Sequence, residues 1–234
     1  MSDPQYGQER ANELQAMTRN RDKLSSFLKD AATTRLSEMG ELALNGPPIY
    51  LVSTGFDFSE FGAVFADSLG SRLCGVACFW TEICDLPYEE RVFAVPQHYI
   101  EPIDALNFAK QRALLYTQSI IADKAEILTI LSRIVEKVNP VALTIASTVI
   151  NADVKIEIEV FLRKYFNGAN LRFVGENVDH DLRTLRSDTA RSLDDRAVKL
   201  IPLMSPWILE RRFGPDPNPA PRSKSGLGTR GLGG

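Results

Sequence analysis

Residues 141–179, VALTIASTVINADVKIEIEVFLRKYFNGANLRFVGENVD, hold an apolar run, a cluster of hydroxyl and amide side chains, an amphipathic stretch, a Gly break and a second apolar run. Strand, turn, helix and strand in that order make a unit whose two strands lie parallel, because the crossover helix carries the chain back to the same end of the sheet. No other stretch restricts the fold as much. It demands an α/β architecture with helices covering a mostly parallel sheet, and it sets a ligand-binding turn at a strand's C-terminal end. The middle of the run carries two periods at once. Ile156, Ile158 and Val160 alternate with charges as in a strand, whereas Val154, Ile158, Phe161, Leu162 and Tyr165 recur as on a helix. Lys155, Glu159 and Arg163 at four-residue spacing, with Asn151 or Asp153 available as cap, decide for the helix.

The flanking chain extends this pattern. Leu14, Met17, Leu24, Phe27, Leu28, Leu36, Met39 and Leu42 recur at largely helical spacing before Asn45-Gly46-Pro47-Pro48, so residues 1–46 read as an extension of one or two amphipathic helices. Its apolar stripe needs burial, on the main domain or on another chain. Ile49 to Thr54 is a short β-rich run followed by Gly55, Asp57 and Ser59 and an apolar-periodic stretch from Phe61 to Leu69, which predicts strand, turn and helix with Asp57 or Ser59 as N-cap. Arg72 to Ile83 is nearly continuous in apolar residues, as in a strand buried on both faces. Arg91 to Ile100 reads as a further strand or an irregular crossing. A helical pattern is expected from Pro102 through Ile121, and a second from the capping-box pair Asp123 and Glu126 through Val138, ended by Asn139-Pro140. Val198 to Met204 reads as a final strand. Residues 47–214 thus form the α/β domain, and residues 215–234, with four prolines and five glycines, read as a disordered tail.

Composition narrows the function classes. A formal charge of -3 argues against duplex nucleic acid as the main partner, because neutralising phosphates takes an excess of Lys and Arg. No apolar run approaches the roughly 20 residues of a membrane-spanning helix, and residues 1–22 lack the apolar stretch of a secretion signal, so the expected location is the cytoplasm. Cys74, Cys78 and Cys84 are odd in number and lie in or beside a buried strand, which makes them reduced core thiols rather than a disulfide framework. The two histidines, His98 and His180, are not at zinc-motif spacing from them, so no metal is assigned to these cysteines. The phosphate-loop, dinucleotide, nucleophile-elbow and HExxH motifs are absent.

Two turns are candidate ligand sites, since backbone N–H groups and the positive end of the following helix face an anion there. One is Ser53-Thr54-Gly55 with Asp57 and Ser59; the other is Ser147-Thr148 with Asn151 and Asp153. Each side chain also has a bland reading as a helix cap. The early strand with its small-residue turn (Ile49 to Gly55), the strand-loop-helix of Val141 to Val160 and the strand Leu171 to Asp179 together resemble the phosphoribosyltransferase-like fold over about residues 47 to 213. That resemblance implies a transferase of phosphoribosyl groups, or at least binding of a phosphorylated ribose or nucleotide. It implies a phosphate loop at Thr148 to Asp153, pyrophosphate contacts at Ser53 to Gly55, and a base held near Pro202 to Arg212 with Trp207 as the stacking side chain. Ala146-Ser147 stands where the family has its acidic pair, so the similarity reaches further for fold than for catalysis. No catalytic residue is named. Magnesium is expected only if carboxylates such as Asp57 or Asp153 converge on the ligand, and the competing reading is a non-catalytic interaction module, self-associating or binding a protein through its N-terminal helices. Arg183, Arg186, Arg191 and Arg196 among Asp181, Asp188, Asp194 and Asp195 read as a solvated mixed-charge surface, any of whose forks could clamp an anion.

Overall fold

Every side chain of β1 (Ile49–Thr54) is buried, as its unbroken β-rich run requires of a strand with both faces covered. The computed structural model describes residues 4–40, 46–84, 92–101, 111–165, 170–193 and 207–208. The other strands are β2 (Leu73–Cys84), β3 (Val92–Ile100), β4 (Ala113–Thr117), β5 (Ile120–Ile121), β6 (Ala142–Asn151) and β7 (Asn170–Val178). Among the described residues they form one seven-stranded sheet. β1 lies between β2 and β4, β4 pairs β6, and β7 takes the other edge of β6, all parallel; β3 adds antiparallel to β2. β5 pairs the later half of the same β6 edge that β4 uses earlier, so the two short strands share one line.

Alternation along the strands feeds two cores. Ile49, Leu51, Ala113 and Leu115 face α2 (Arg21–Met39) and α3 (Ala63–Leu69), which contribute Ala31, Met39 and Phe65. Tyr50, Val52, Leu114 and Tyr116 face α4 (Lys124–Val138) and α5 (Ala152–Tyr165), which contribute Ile127, Ile134, Ile158 and Leu162. A third cluster joins α1 (Pro4–Met17), α2 and α6 (Arg183–Leu193) to Ile120 and Val149 through Leu14, Leu24, Leu28 and Leu185. The N-terminal helices therefore bury their apolar stripe on their own domain. α1 sits so close to β7 that a Cβ at Gly7 would come 1.9 Å from the Asn177 carbonyl oxygen. Asn20 caps α2 through the Lys23 N–H at 3.1 Å, and Arg172 of β7 donates to the Glu38 and Met39 carbonyls at its far end.

Three expectations are corrected. The helical pattern through Ile121 gives way to β4 and β5 over the described part of that stretch; Ala113-Leu114-Leu115-Tyr116-Thr117 is buried throughout, and a short, nearly continuous apolar run carries no period to separate strand from helix. The turn at Ser147-Thr148 is strand: β6 runs on to Asn151, with a register shift between Ala146 and Val149 where the Ser119 carbonyl accepts from both the Thr148 and Val149 N–H groups. Asp57 precedes a π-helical turn (Phe58–Gly62) without capping it, because its carboxylate is engaged elsewhere. The helix expected over Lys155 to Val160 is present as α5, and of the two readings of Arg91 to Ile100, strand or irregular crossing, the strand is present as β3. The proposed strand at Val198 to Met204 and the tail lie outside the described residues. No helix among the described residues is long and apolar enough to cross a membrane.

Candidate functional site

The chain leaves β1 for β2 on one side and β4 for β6 on the other, so strand order reverses between β1 and β4. In an open α/β sheet that reversal opens a crevice beyond the strands' carboxyl ends, where ligands bind. Here the crevice is filled by the protein's own groups. Asp57 is fully buried and accepts from Thr54 Oγ1 and from the Ser119 backbone N–H, each at 2.6 Å. Burial pushes the Asp57 carboxyl up, against the pull of the Ser119 and Thr54 donors and the Arg186 charge. Ser53 Oγ donates to the Thr117 carbonyl at 3.1 Å, and Gly55 N–H to the Phe79 carbonyl at 2.7 Å. A Cβ at Gly55 would lie 2.4 Å from the Trp80 indole, so only glycine fits this turn.

A second carboxylate completes the plug. Glu126, buried on α4, accepts from Arg186 Nε at 3.1 Å, again from Arg186 Nη2, from Gln118 Nε2 at 2.9 Å and from Thr81 Oγ1. Tyr116 O–H donates to Gln118 Oε1 at 2.6 Å, and the Arg186 guanidinium stacks 4.3 Å over the Phe56 ring. Burial pulls the Arg186 pKa down, but the Glu126 carboxylate, with Asp57 and Tyr116, more than reverses it. Burial, then Glu126 and Asp57, pushes the Tyr116 phenol well up. An incoming phosphate would meet two carboxylates here, and the guanidinium that could neutralise it already holds one of them.

The open site lies one unit further along the sheet edge. A cleft of about 640 Å³ runs between the first turns of α4 and α5, lined by Asp123, Asp153, Glu157, Asp179 and Asp181 against Lys124 and Arg183, with Asn151 at its base. Both helix starts are capped from within: Asp123 Oδ1 accepts from the Ala125 N–H and Asn151 Oδ1 from the Val154 N–H, both at 2.9 Å. Asn151 Nδ2 also donates to the His180 carbonyl at 2.9 Å, tying α5 to the segment after β7. The cleft's cations are held loosely. Lys124 pairs with Glu157 at 3.0 Å and Arg183 lies 3.9 Å from both Asp123 and Asp181, with the side chains partly in solvent. Among the described residues, no three His, Cys, Asp or Glu side chains gather closely enough to hold a metal ion.

The sequence candidates therefore separate. Ser53, Thr54 and Gly55 belong to the plugged crevice, Ser147 and Thr148 are buried within β6, and only Asn151 and Asp153 line the open cleft. Of the two candidate turns, the second reaches this cleft through Asn151 and Asp153, and Ser53, Thr54 and Gly55 do not line it. Trp207 donates its indole N–H to Asp67 on α3 and tilts against Phe58 at 5.7 Å, as a packing anchor does. His98 and His180 are exposed, His98 stacking on Phe79. Sequence reasoning passed over Glu126 as a capping residue, Asp57 as a cap and Arg186 as surface charge; a lone charge carries no signal of burial until its partner is placed.

No protein family model matches the chain, and no curated protein matches it. Solved structures do. The AQ2163 protein from Aquifex aeolicus shares 13% identity over 78% of this chain and 88% of its own, with a TM-score of 0.52. A purine phosphoribosyltransferase from Pyrococcus horikoshii Ot3 overlaps at 10% identity, 65% and 85% coverage and a TM-score of 0.39. An adenine phosphoribosyltransferase from Trypanosoma brucei, solved with AMP, pyrophosphate and ribose-5-phosphate, overlaps at 12% identity, 68% and 67% coverage and 0.42. The resemblance to the phosphoribosyltransferase-like fold holds at the level of architecture, a mostly parallel sheet flanked by helices. None of these likenesses lends a residue role to this chain.

Proposed function

We propose that this chain is a phosphoribosyltransferase-like cytoplasmic protein that binds a nucleotide or phosphorylated ribose in the cleft between α4 and α5, and holds it without transferring a phosphoribosyl group. The cleft carries the reading: it lies at the carboxyl edge of a parallel sheet, and its size falls within the roughly 300–1,000 Å³ of small-molecule pockets. Its carboxylates suit ribose hydroxyls, which donate hydrogen bonds. Lys124 and Arg183 suit a phosphate, which can draw them from exposed ion pairs at little cost. The excess of carboxylates favours a phosphate that brings its own magnesium, bound to the ligand rather than to the protein. Transfer chemistry is set aside because a donor entering the β1–β4 crevice would have to part Arg186 from Glu126, and breaking a buried pair costs about 3–5 kcal/mol.

Calorimetric titration with AMP, ribose 5-phosphate and phosphoribosyl pyrophosphate, each with and without magnesium, tests the reading. Heat of binding that K124A weakens supports it. A folded sample giving no heat with any of them ends it and leaves the interaction module. Pyrophosphate release from phosphoribosyl pyrophosphate in the presence of a purine base would restore the transferase reading.

A further inference from the structure

The chain's charges are segregated. Of 27 Lys and Arg and 30 Asp and Glu, residues 217–234 take Arg222, Lys224 and Arg230 and no acidic side chain, so a basic end is attached to a body more acidic than the net charge of -3 suggests. That acidity is poorly compensated in the cleft between α4 and α5. Asp123 and Asp181 each accept from a backbone N–H and Glu157 pairs with Lys124, but Asp153 and Asp179 have neither an ion-pair nor a hydrogen-bond partner among the described residues. Both open onto this cleft because Asn151 of β6 pairs with Val178 of β7 and its amide donates to the His180 carbonyl, which sets the first turn of α5 beside the exit of β7. Two like charges on one opening, with no counter-charge of their own, favour a cation there.

We propose that residues 217–234 of this chain dock in the cleft, Arg222 and Lys224 against Asp153 and Asp179, and keep ligand out until they are displaced. These residues lie outside the described ones; charge and reach assign them to the cleft. Trp207 and Ile208, the last described residues, sit beside Phe58, which follows β1 at the same carboxyl edge of the sheet that carries the cleft. From β1 to β6 that edge covers two strand spacings, about 10 Å, whereas the 13 residues from 209 to 221 can span roughly 45 Å. Reach does not limit the contact. A tether within one molecule sets an effective concentration of about a millimolar, so ion pairs too weak to hold a free peptide suffice. The contact regulates the cleft to which the nucleotide reading assigns its ligand, and it rests on that reading only for its effect on binding.

Amide NMR on the full chain without ligand tests the contact. R222Q/K224Q/R230Q should move the amides of Asp153, Asp179 and their neighbours, salt at about 1 M should move them the same way, and the triple change made in D153N/D179N should move them no further. Calorimetry with AMP and magnesium then reads the consequence: the triple variant should bind several-fold tighter than the natural chain. Cleft amides that ignore both the triple change and salt overturn the proposal, as does measurable AMP binding that is no tighter in the triple variant. A chain whose amides shift as expected but which gives no heat with AMP keeps the docked segment and sinks the nucleotide reading alone.

Discussion

The crevice where β1 and β4 end and the cleft where β6 ends rest on the same backbone device, a parallel strand turning into a helix, yet one is sealed and the other open. In the first, Asp57, Glu126 and Arg186 are withdrawn from water and complete one another. In the second, Lys124 and Arg183 stay partly in solvent and pair with carboxylates of the cleft at 3.0 and 3.9 Å. Backbone geometry offers an anion site; side chains decide whether the protein fills it. The energetic difference is large, since a buried pair that loses one member strands a charge, while an exposed pair hands its charges back to solvent.

That contrast can be broken experimentally, beginning with the biggest effect. R186A strands Glu126 and should cost about 3–5 kcal/mol in urea unfolding, whereas E126Q/R186M, which removes both charges, should recover most of it. If the double variant is no better than the single, Glu126 is not the group being stranded. T54V removes a donor to the Asp57 carboxylate and should cost about 1–3 kcal/mol. Asp57 then gives a pH signature. With its folded pKa raised, its contribution is fully present below the unfolded value of about 3.9 and is lost as pH rises toward the folded value, because the folded state keeps the proton longer. The unfolding midpoint of the natural chain relative to D57N should therefore fall from acid toward neutral pH. A difference that grows with pH would mean that Asp57 is held by its donors as a stabilised anion. Smallest of all, K124A and R183A should each change stability by less than about 1 kcal/mol while weakening ligand binding several-fold. A stability loss as large as that of R186A would erase the distinction between the two sites.

How much of this was legible follows from what each element exposes to a reader of the sequence. β1 and α5 were readable because an unbroken β-rich run and charges at four-residue spacing are local signals. β4 was not, since four of its five residues are apolar and all are buried on both faces. Ser147 and Thr148 looked like a turn because hydroxyls favour turns, yet buried strands also hold them, and the strand here bonds to Ser119, a residue nearly 30 positions earlier. Arg186 looked like surface because its neighbours are charged; its partner Glu126 lies 60 residues away and gave no hint of the pairing. Long-range pairing of charges is what a single sequence conceals.

The anchoring of α2 by Arg172 bears on how the molecule is made. Residues 21–39 rest on α1, on the π-helical turn and α3 that follow β1, and on β6 and β7, and their last carbonyls are held from β7, so a nascent chain seats this helix only in part until the far end of the sheet has left the ribosome. At about 5–20 residues per second, α2 waits several seconds or more with part of its apolar stripe uncovered. Assembly therefore closes from both ends at once, and a chaperone that shields the first helices during that interval would raise the yield of correctly built molecules.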